Sequence, residues 1–207
     1  KMSKSLGNSP DPIKLMKKYG ADGVRSGMLF SAPAGNDLLF NEKLCEQGRN
    51  FSNKLWNAFR LIKSFKVGNK EDNNTIVIKW INSKFNEKIS EVNDHFSKYR
   101  ISDALLTLYK FVWEDFCNWY LEIIKDEEIN ENTYIETIKI LEKILKALHP
   151  FMPFITEELW HLIENKREDY VINATYPESD SYDNKINNNF DKIFDIVTSI
   201  RKTKSDN

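Results

Sequence analysis

The sequence contains few residues that interrupt helices and almost no cysteine. Seven Gly and six Pro among 207 residues leave little material for the many tight turns of an all-β fold. The two cysteines, Cys45 and Cys117, are far apart, and neither has a second Cys or a His at metal-ligand spacing. We therefore expect a helical protein without a disulfide framework or a metal site, in a reducing compartment.

Long apolar runs and an excess of one charge are also absent. No stretch approaches the ~20 apolar residues that cross a bilayer, and the first residues lack the charged-then-apolar order of a secretory signal. Thirty Lys and Arg residues oppose 31 Asp and Glu residues, which gives a net charge of -1. Such a molecule has no strong overall field that would attract nucleic acid. We expect a cytoplasmic protein without membrane contact, in which any RNA contact uses a local patch.

Caps and breakers divide the chain into short helices followed by a longer helical region. Asp11 and Pro12 are typical of a helix start, and Gly20 is typical of a helix end. A second short helix begins near Ala21 and ends before Pro33. Five amphipathic helices follow, which predicts an all-α helical bundle. Their predicted ranges are 41–67, 76–99, 102–125, 133–148 and 156–164.

The C-terminal stretches complete a prediction of three regions. Residues 170–172 predict a brief extended piece, and the polar residues 177–189 resemble a linker. Apolar residues at helical spacing over 190–200 predict one last helix. We therefore expect a connector over residues 1–40, a helical bundle over 41–180, and a linker with the start of a C-terminal helix over 181–207.

The first eight residues carry the chemistry of a phosphate-binding loop. Lys1 and Lys4 place two ammonium groups among Ser3, Ser5 and Gly7. Ammonium groups act as point charges on phosphate oxygens, and glycine lets backbone amides approach a ligand closely. A solvated segment rich in Lys and Ser would have the same composition, so these residues alone do not decide between the two.

The same residues resemble the signature of class I aminoacyl-tRNA synthetases. Residues 1–5 spell KMSKS, residues 6–8 continue it as that family does, and the stretches 11–12 and 19–25 follow at the expected distance. The resemblance implies that Lys4 is a catalytic residue, which stabilises charge on the pyrophosphate leaving group when ATP activates the amino acid. It also implies that the whole signature binds ATP. The signature residues are Lys1, Met2, Ser3, Lys4 and Ser5.

Later stretches resemble the valyl members of this family. Residues 48–60 and 113–122 are similar to valyl enzymes, and residues 199–201 are similar to the helix that leads into the valyl carboxy-terminal region. Residues 148–160 are shared by valyl, isoleucyl and leucyl enzymes, so they support only that subgroup. The resemblance implies an anticodon-binding helical bundle, with an isoleucyl enzyme as the alternative.

One face of the helix predicted over residues 41–67 carries amide and cationic side chains, and the opposite face is apolar. Three asparagines lie on the polar face, although each costs a helix roughly half a kcal/mol relative to alanine. Amide groups suit the edges of unpaired bases, and arginine adds phosphate contacts. A solvated face in an Asn-rich protein is an equal alternative on the residues alone, and the resemblance favours RNA. The predicted tRNA-binding residues are Arg49, Asn50, Asn53, Lys54, Asn57 and Arg60.

Aromatic residues in the second half of the chain recur at helical spacing. Such spacing predicts core packing rather than base stacking. The residues are Trp113, Phe116, Trp119, Tyr120, Phe151, Phe154 and Trp160.

Together these features predict part of an enzyme that joins valine to its tRNA through an aminoacyl-adenylate. The expected partners are ATP with magnesium, valine and the valine-specific tRNA, and we expect a monomer. The nucleotide-binding fold of the family and its His-Ile-Gly-His-type motif are not found in these residues, so we expect no activity from the chain alone. Two other interpretations stay open, a stand-alone RNA-binding module and a helical scaffold for other proteins.

Overall fold

The structure is a computed structural model that describes residues 10–32, 35, 40–69, 71, 73–164 and 167–205. Helices dominate this part of the chain, which confirms the all-α prediction. A π-helical segment, Phe111–Tyr120, joins α5 to α6. Two short strands, β1 (Val67–Gly68) and β2 (Ile129–Asn130), pair in parallel. The α-helices are α1 (Pro12–Tyr19), α2 (Ala21–Phe30), α3 (Glu42–Ser64), α4 (Thr75–Ser97), α5 (Ile101–Lys110), α6 (Leu121–Ile124), α7 (Glu131–Leu148), α8 (Pro153–Ile163) and α9 (Asn184–Ser205).

Helices α1 and α2 are separated by a single glycine. The Asp11 carboxylate caps α1 by accepting hydrogen bonds from the backbone N–H groups of Ile13, at 3.0 Å, and Lys14, at 3.5 Å. Pro12 takes the first helical position. Gly20 has a φ of 75°, a conformation that a residue without Cβ adopts at little cost. The predicted start of α1 and the break at Gly20 are confirmed.

Glycines allow α2 to pack closely against α3. A Cβ atom on Gly48 would lie 2.7 Å from the carbonyl oxygen of Gly23. A Cβ atom on Gly27 would lie 2.6 Å from the Cα atom of Cys45. Both distances are shorter than a carbon atom tolerates, so these crossing points require glycine. The contact fixes the position of α3 relative to the two short helices.

Two side chains of α2 also bind the turn between α7 and α8. The buried Asp22 carboxylate accepts hydrogen bonds from the backbone N–H groups of Phe154, at 3.3 Å, and Ile155, at 2.7 Å. These amides belong to the first turn of α8, where the helix itself offers no acceptor. Arg25 donates to the backbone carbonyls of Pro150, at 3.1 Å, and Phe151, at 3.2 Å. The connector is therefore bonded to the bundle at a second place.

The hydrophobic core lies between α3, α4, α5, the π-helical segment, α7 and α8. The predicted apolar face of α3 is buried in it through Phe51, Leu55, Phe59 and Ile62. From α5 to α6 the helical backbone runs continuously over residues 101–124, close to the predicted 102–125. In the described ranges, no helix is long and apolar enough to cross a bilayer.

The aromatic prediction is correct except at one position. Phe116, Tyr120, Phe151 and Trp160 are buried, and Trp113 and Trp119 pack against the core while partly exposed. Phe154 is 63% exposed, so its assignment to the core was wrong. It is the second residue of α8.

The C-terminal region differs from the prediction in two respects. Residues 171–173 form a 3-10 turn, closed by a hydrogen bond from Asn173 N–H to the Tyr170 carbonyl at 3.0 Å, and not an extended piece. Helix α9 begins at Asn184, inside the stretch predicted as a linker. Asp183 caps it by accepting from the backbone N–H groups of Lys185 and Ile186. The Asp183 backbone also exchanges hydrogen bonds with the Ser83 hydroxyl of α4, so the preceding residues are held against the bundle.

Candidate nucleic-acid interface

The polar face of α3 is open to solvent. The side chains of Asn50, Asn53, Asn57 and Arg60 are exposed. Within the part of the chain that the structure describes, none of the four has a hydrogen-bond or ion-pair partner. At 1.5 Å of rise per residue, they form a strip of roughly 15 Å along the helix. The structure thus brings four of the six predicted tRNA-binding residues together, with their donors and acceptors available.

Lys54 lies at one edge of this face and is held in place by the π-helical segment. Its ammonium nitrogen Nζ donates to Asn118 Oδ1 at 2.9 Å and lies 5.2 Å from the centre of the Trp113 ring. Asn118 is a neutral amide, so the bond orients the ammonium without cancelling its charge. Lys54 keeps a position from which a phosphate can reach it.

Arg49 lies at the opposite edge and is committed to protein contacts. Its guanidinium is 3.4 Å from Glu46 Oε1 and 5.6 Å from the centre of the Tyr19 ring. Its Nε atom is buried and has no partner among the described residues. Arg49 therefore lies between α1 and α3, beside a cavity of about 440 Å³ that the exposed Phe154 also lines. Asn53 of the strip lines the same cavity, so Arg49 lies beside the strip.

Beyond Lys54, the face of α3 continues into a groove that the sequence did not predict. The groove has a volume of about 640 Å³ and lies between α3, the π-helical segment and α9. Lys54 of α3, Asn118 and Trp119 of the π-helical segment, and Thr198 and Arg201 of α9 line it. Three segments distant in sequence build it, so periodicity along any one of them could not reveal it.

Family comparison decides what kind of domain carries this surface. The sequence model described as "Anticodon-binding domain of tRNA ligase" matches residues 78–207. This chain belongs to the anticodon-binding domain family of tRNA ligases. A second model, described as "tRNA synthetases class I (I, L, M and V)", matches residues 1–41. The predicted membership of the class I synthetases is confirmed.

Curated relatives of this anticodon-binding domain carry the name valine–tRNA ligase. The protein from Christiangramia forsetii is 49% identical over 213 residues, which cover 100% of this chain and 24% of the relative. The protein from Porphyromonas gingivalis is 46% identical and is matched over 99% of this chain and 24% of its own length. The chain spans about a quarter of the length of these relatives.

A solved structure has a similar fold. It is the crystal structure of a LeuRS from Agrobacterium radiobacter K84 in a ternary complex with tRNA and LeuAMS, with a TM-score of 0.63 and 20% sequence identity. The match covers 90% of this chain and 23% of that chain. At this identity the likeness shows the helical architecture alone.

The π-helical segment explains how the anticodon-binding domain holds Lys54. Trp113 and Asn118 both contact Lys54, although they are five residues apart. In an α-helix, residues five apart point about 140° away from each other. The wider turn of a π-helix, with its i→i+5 hydrogen bonds, brings them to the same side. Sequence periodicity assumes an α-helical turn and could not anticipate this pairing.

A second charged cavity, of about 460 Å³, lies between α4, the π-helical segment and α9. Two of its three lysines have carboxylate partners: Lys84 Nζ lies 3.1 Å from Asp191, and Lys88 Nζ lies 3.0 Å from Glu91. Burial raises the pKa of the neighbouring Asp115 carboxyl to about 7. Because carboxylates outnumber lysines in its lining, this cavity is a weaker candidate for RNA than the face of α3.

The predicted ATP-binding signature cannot be placed against this interface. Lys1, Met2, Ser3, Lys4 and Ser5 lie outside the residues that the structure describes. Their roles stay predictions.

Proposed function

We propose that this chain is the anticodon-binding portion of an enzyme that joins valine to its tRNA. The observation that carries the proposal is the exposed strip of Asn50, Asn53, Asn57 and Arg60, whose polar groups have no partner among the described residues. An asparagine side chain offers two donors and an acceptor, which matches the edges of unpaired bases such as those of an anticodon. Arg60 adds a planar cation for a phosphate or a base.

Valine is the proposed amino acid because the relatives named above are valine–tRNA ligases and match essentially the whole chain. The competing proposal is an isoleucyl enzyme. Binding of valine and isoleucine tRNA transcripts, each with its own and with the exchanged anticodon, distinguishes the two. We expect affinity to follow the valine anticodon. Preference for the isoleucine anticodon, or indifference to the exchange, would contradict the proposal.

Arg60 provides a direct test of the face of α3. We expect Arg60→Ala to weaken the binding of a valine tRNA transcript about tenfold, the effect of one charge-assisted hydrogen bond. The matched control is Lys79→Ala, which removes an exposed cation of α4 without a partner among the described residues. Fluorescence anisotropy titrations of both variants give the comparison. Equal tRNA affinities of the two variants would show that the face of α3 is not part of the RNA interface.

We further propose that the complete enzyme forms valyl-adenylate from ATP, with magnesium, as a cytoplasmic monomer. In it, Lys4 would stabilise the pyrophosphate leaving group, and the other signature residues would bind the phosphates. Lys4→Ala in the full-length enzyme should lower valine-dependent ATP–pyrophosphate exchange while tRNA binding is retained. The chain alone should show no such exchange, and measurable exchange would contradict this part of the proposal.

A further inference from the structure

The groove beside Lys54 has a second wall, which α9 forms. Lys54 of α3 and Thr198 and Arg201 of α9 line the same groove. Thr198 and Arg201 are three residues apart, so they lie on the same face of the helix. The fold therefore places an arginine of the C-terminal helix beside the polar face of α3.

Stacking on Trp119 holds Arg201 in this position. The guanidinium carbon Cζ lies 5.2 Å from the centre of the Trp119 ring. Phe194 fixes that ring by stacking on it, with 4.0 Å between ring centres and 10° between the planes. A guanidinium that stacks on an aromatic ring keeps its N–H groups, which lie in its own plane, free to donate. In the described part of the chain, no acceptor takes them.

The charges around the groove favour an anion. Lys54 is bonded to a neutral amide, and Arg201 is stacked on a neutral ring. Two carboxylates also line the groove, and one of them, Glu122, lies 3.6 Å from Lys125 outside it. Together with Lys125, three cations therefore lie in or beside the groove against two carboxylates, of which Glu114 has no ion-pair partner among the described residues.

We propose that Arg201 binds a backbone phosphate of the RNA strand whose bases meet α3, so that Arg201 and Lys54 contact this strand within the same groove. The proposal rests on the anticodon-binding function proposed above and extends the interface to α9. A phosphate is the expected ligand because a guanidinium can bind two of its oxygens at once. Trp119 is not free to stack on a base, since Phe194 and Arg201 cover its ring.

The test compares three variants in tRNA-binding titrations over a range of KCl concentrations. We expect Arg201→Ala to weaken binding of a valine tRNA transcript about tenfold. It should also make the dependence of log K on log salt shallower by ~0.7, the value for one phosphate contact in a single strand. Arg201→Lys keeps the charge but not the planar donors, so its affinity should lie between that of the unsubstituted chain and that of Arg201→Ala. Lys192→Ala is the control, because Lys192 is exposed and lies nine residues away, on the opposite face of α9.

Three results would contradict the proposal, and they show which part of it is wrong. If the unsubstituted chain binds the transcript and Arg201→Ala matches Lys192→Ala in affinity and in salt slope, the α9 contact is overturned while the face of α3 stands. If the unsubstituted chain does not bind the transcript, both proposals are overturned. If Arg201→Ala weakens binding without a change of salt slope, a phosphate is not the ligand and the proposal is overturned. Circular dichroism melting curves of all variants exclude a loss of folding as the cause.

Discussion

Asn57 distinguishes a face of α3 that binds RNA from one that only meets solvent. Asn57 is exposed and lacks a partner among the described residues, and Asn93 on α4 shares both properties. Replacing either asparagine by alanine should stabilise the fold by about 0.5 kcal/mol, because alanine favours a helix more. Only Asn57→Ala should weaken the binding of a valine tRNA transcript, since only it removes groups that pair with a base.

Urea unfolding and anisotropy titrations of the two variants provide this measurement. Asn93→Ala is matched in residue type, in secondary structure and in exposure. Equal tRNA affinity for both variants would show that the asparagines of α3 are merely solvated.

Asp115 makes the stability of the bundle depend on pH. Burial raises its pKa to about 7, although Lys84 and Lys88 favour the charged carboxylate. Asp191 and Glu114 add to the rise by repelling a negative charge. The folded chain therefore holds this proton more tightly than the unfolded chain, in which the pKa is ~4. The contribution of Asp115 to stability is complete below pH ~4 and is lost as the pH rises to about 7.

Asp115→Asn should remove this loss, so the variant should gain stability relative to the unsubstituted chain as the pH rises from ~4 to 7. The gain should reach at most a few kcal/mol. Urea unfolding at several pH values measures it. The hydrogen bond from Lys98 lowers the pKa of the Asp94 carboxyl, so Asp94→Asn should instead lose stability relative to the unsubstituted chain as the pH rises within the range below ~4. If the difference in unfolding free energy between Asp115→Asn and the unsubstituted chain did not depend on pH, the assignment of a buried proton to Asp115 would be wrong.

At the scale of the elements, α8 depends on a cap that comes from a different helix. Asp22 of α2 accepts the backbone N–H groups of Phe154 and Ile155. Asp22→Ala should lower the free energy of unfolding by roughly 1–2 kcal/mol, because a capping acceptor is lost and two amides remain without one. Asp22→Asn keeps one acceptor oxygen and should recover part of the loss. Urea unfolding of both variants tests this, and equal losses would mean that the side chain acts by packing alone.

The sequence predicted those elements whose causes are local. The Asp11 cap, the Gly20 break and the apolar stripe of α3 depend on neighbouring residues, and all three are present in the structure. The π-helical segment was not predicted, because the periodicity of apolar residues was interpreted with an α-helical turn. The start of α9 was predicted too late, although Asp183 is a capping residue that the sequence displays.

In the candidate site, too, the residues that one helix supplies were predicted, and those that tertiary packing brings together were not. The strip from Asn50 to Arg60 followed from helical periodicity, since one helix supplies all of it. Arg49 was grouped with the strip, and its contacts with Tyr19 of α1 and with Glu46 place it at the edge away from Lys54. Arg201 was missed as a site residue, because tertiary contacts such as Phe194 on Trp119 and on Trp80 bring α9 to the groove.

For the whole molecule, the net charge of -1 means that RNA binding must depend on few local cations. The candidate interface offers Lys54, Arg60 and Arg201. If all three contact phosphates, the slope of log K against log salt should be about -2, from ~0.7 per contact. Titrations from low to moderate KCl concentration check this. A much steeper slope would require further cationic contacts elsewhere on the chain.

The bonds between α2 and the α7–α8 turn constrain how this molecule can move. Asp22 binds backbone donors on one side of that turn, Arg25 binds backbone acceptors on the other, and glycines hold α2 against α3. Rotation of the short helices about a hinge would have to break all of these contacts at once. We therefore expect α1, α2 and the bundle to move as one body when the chain binds RNA.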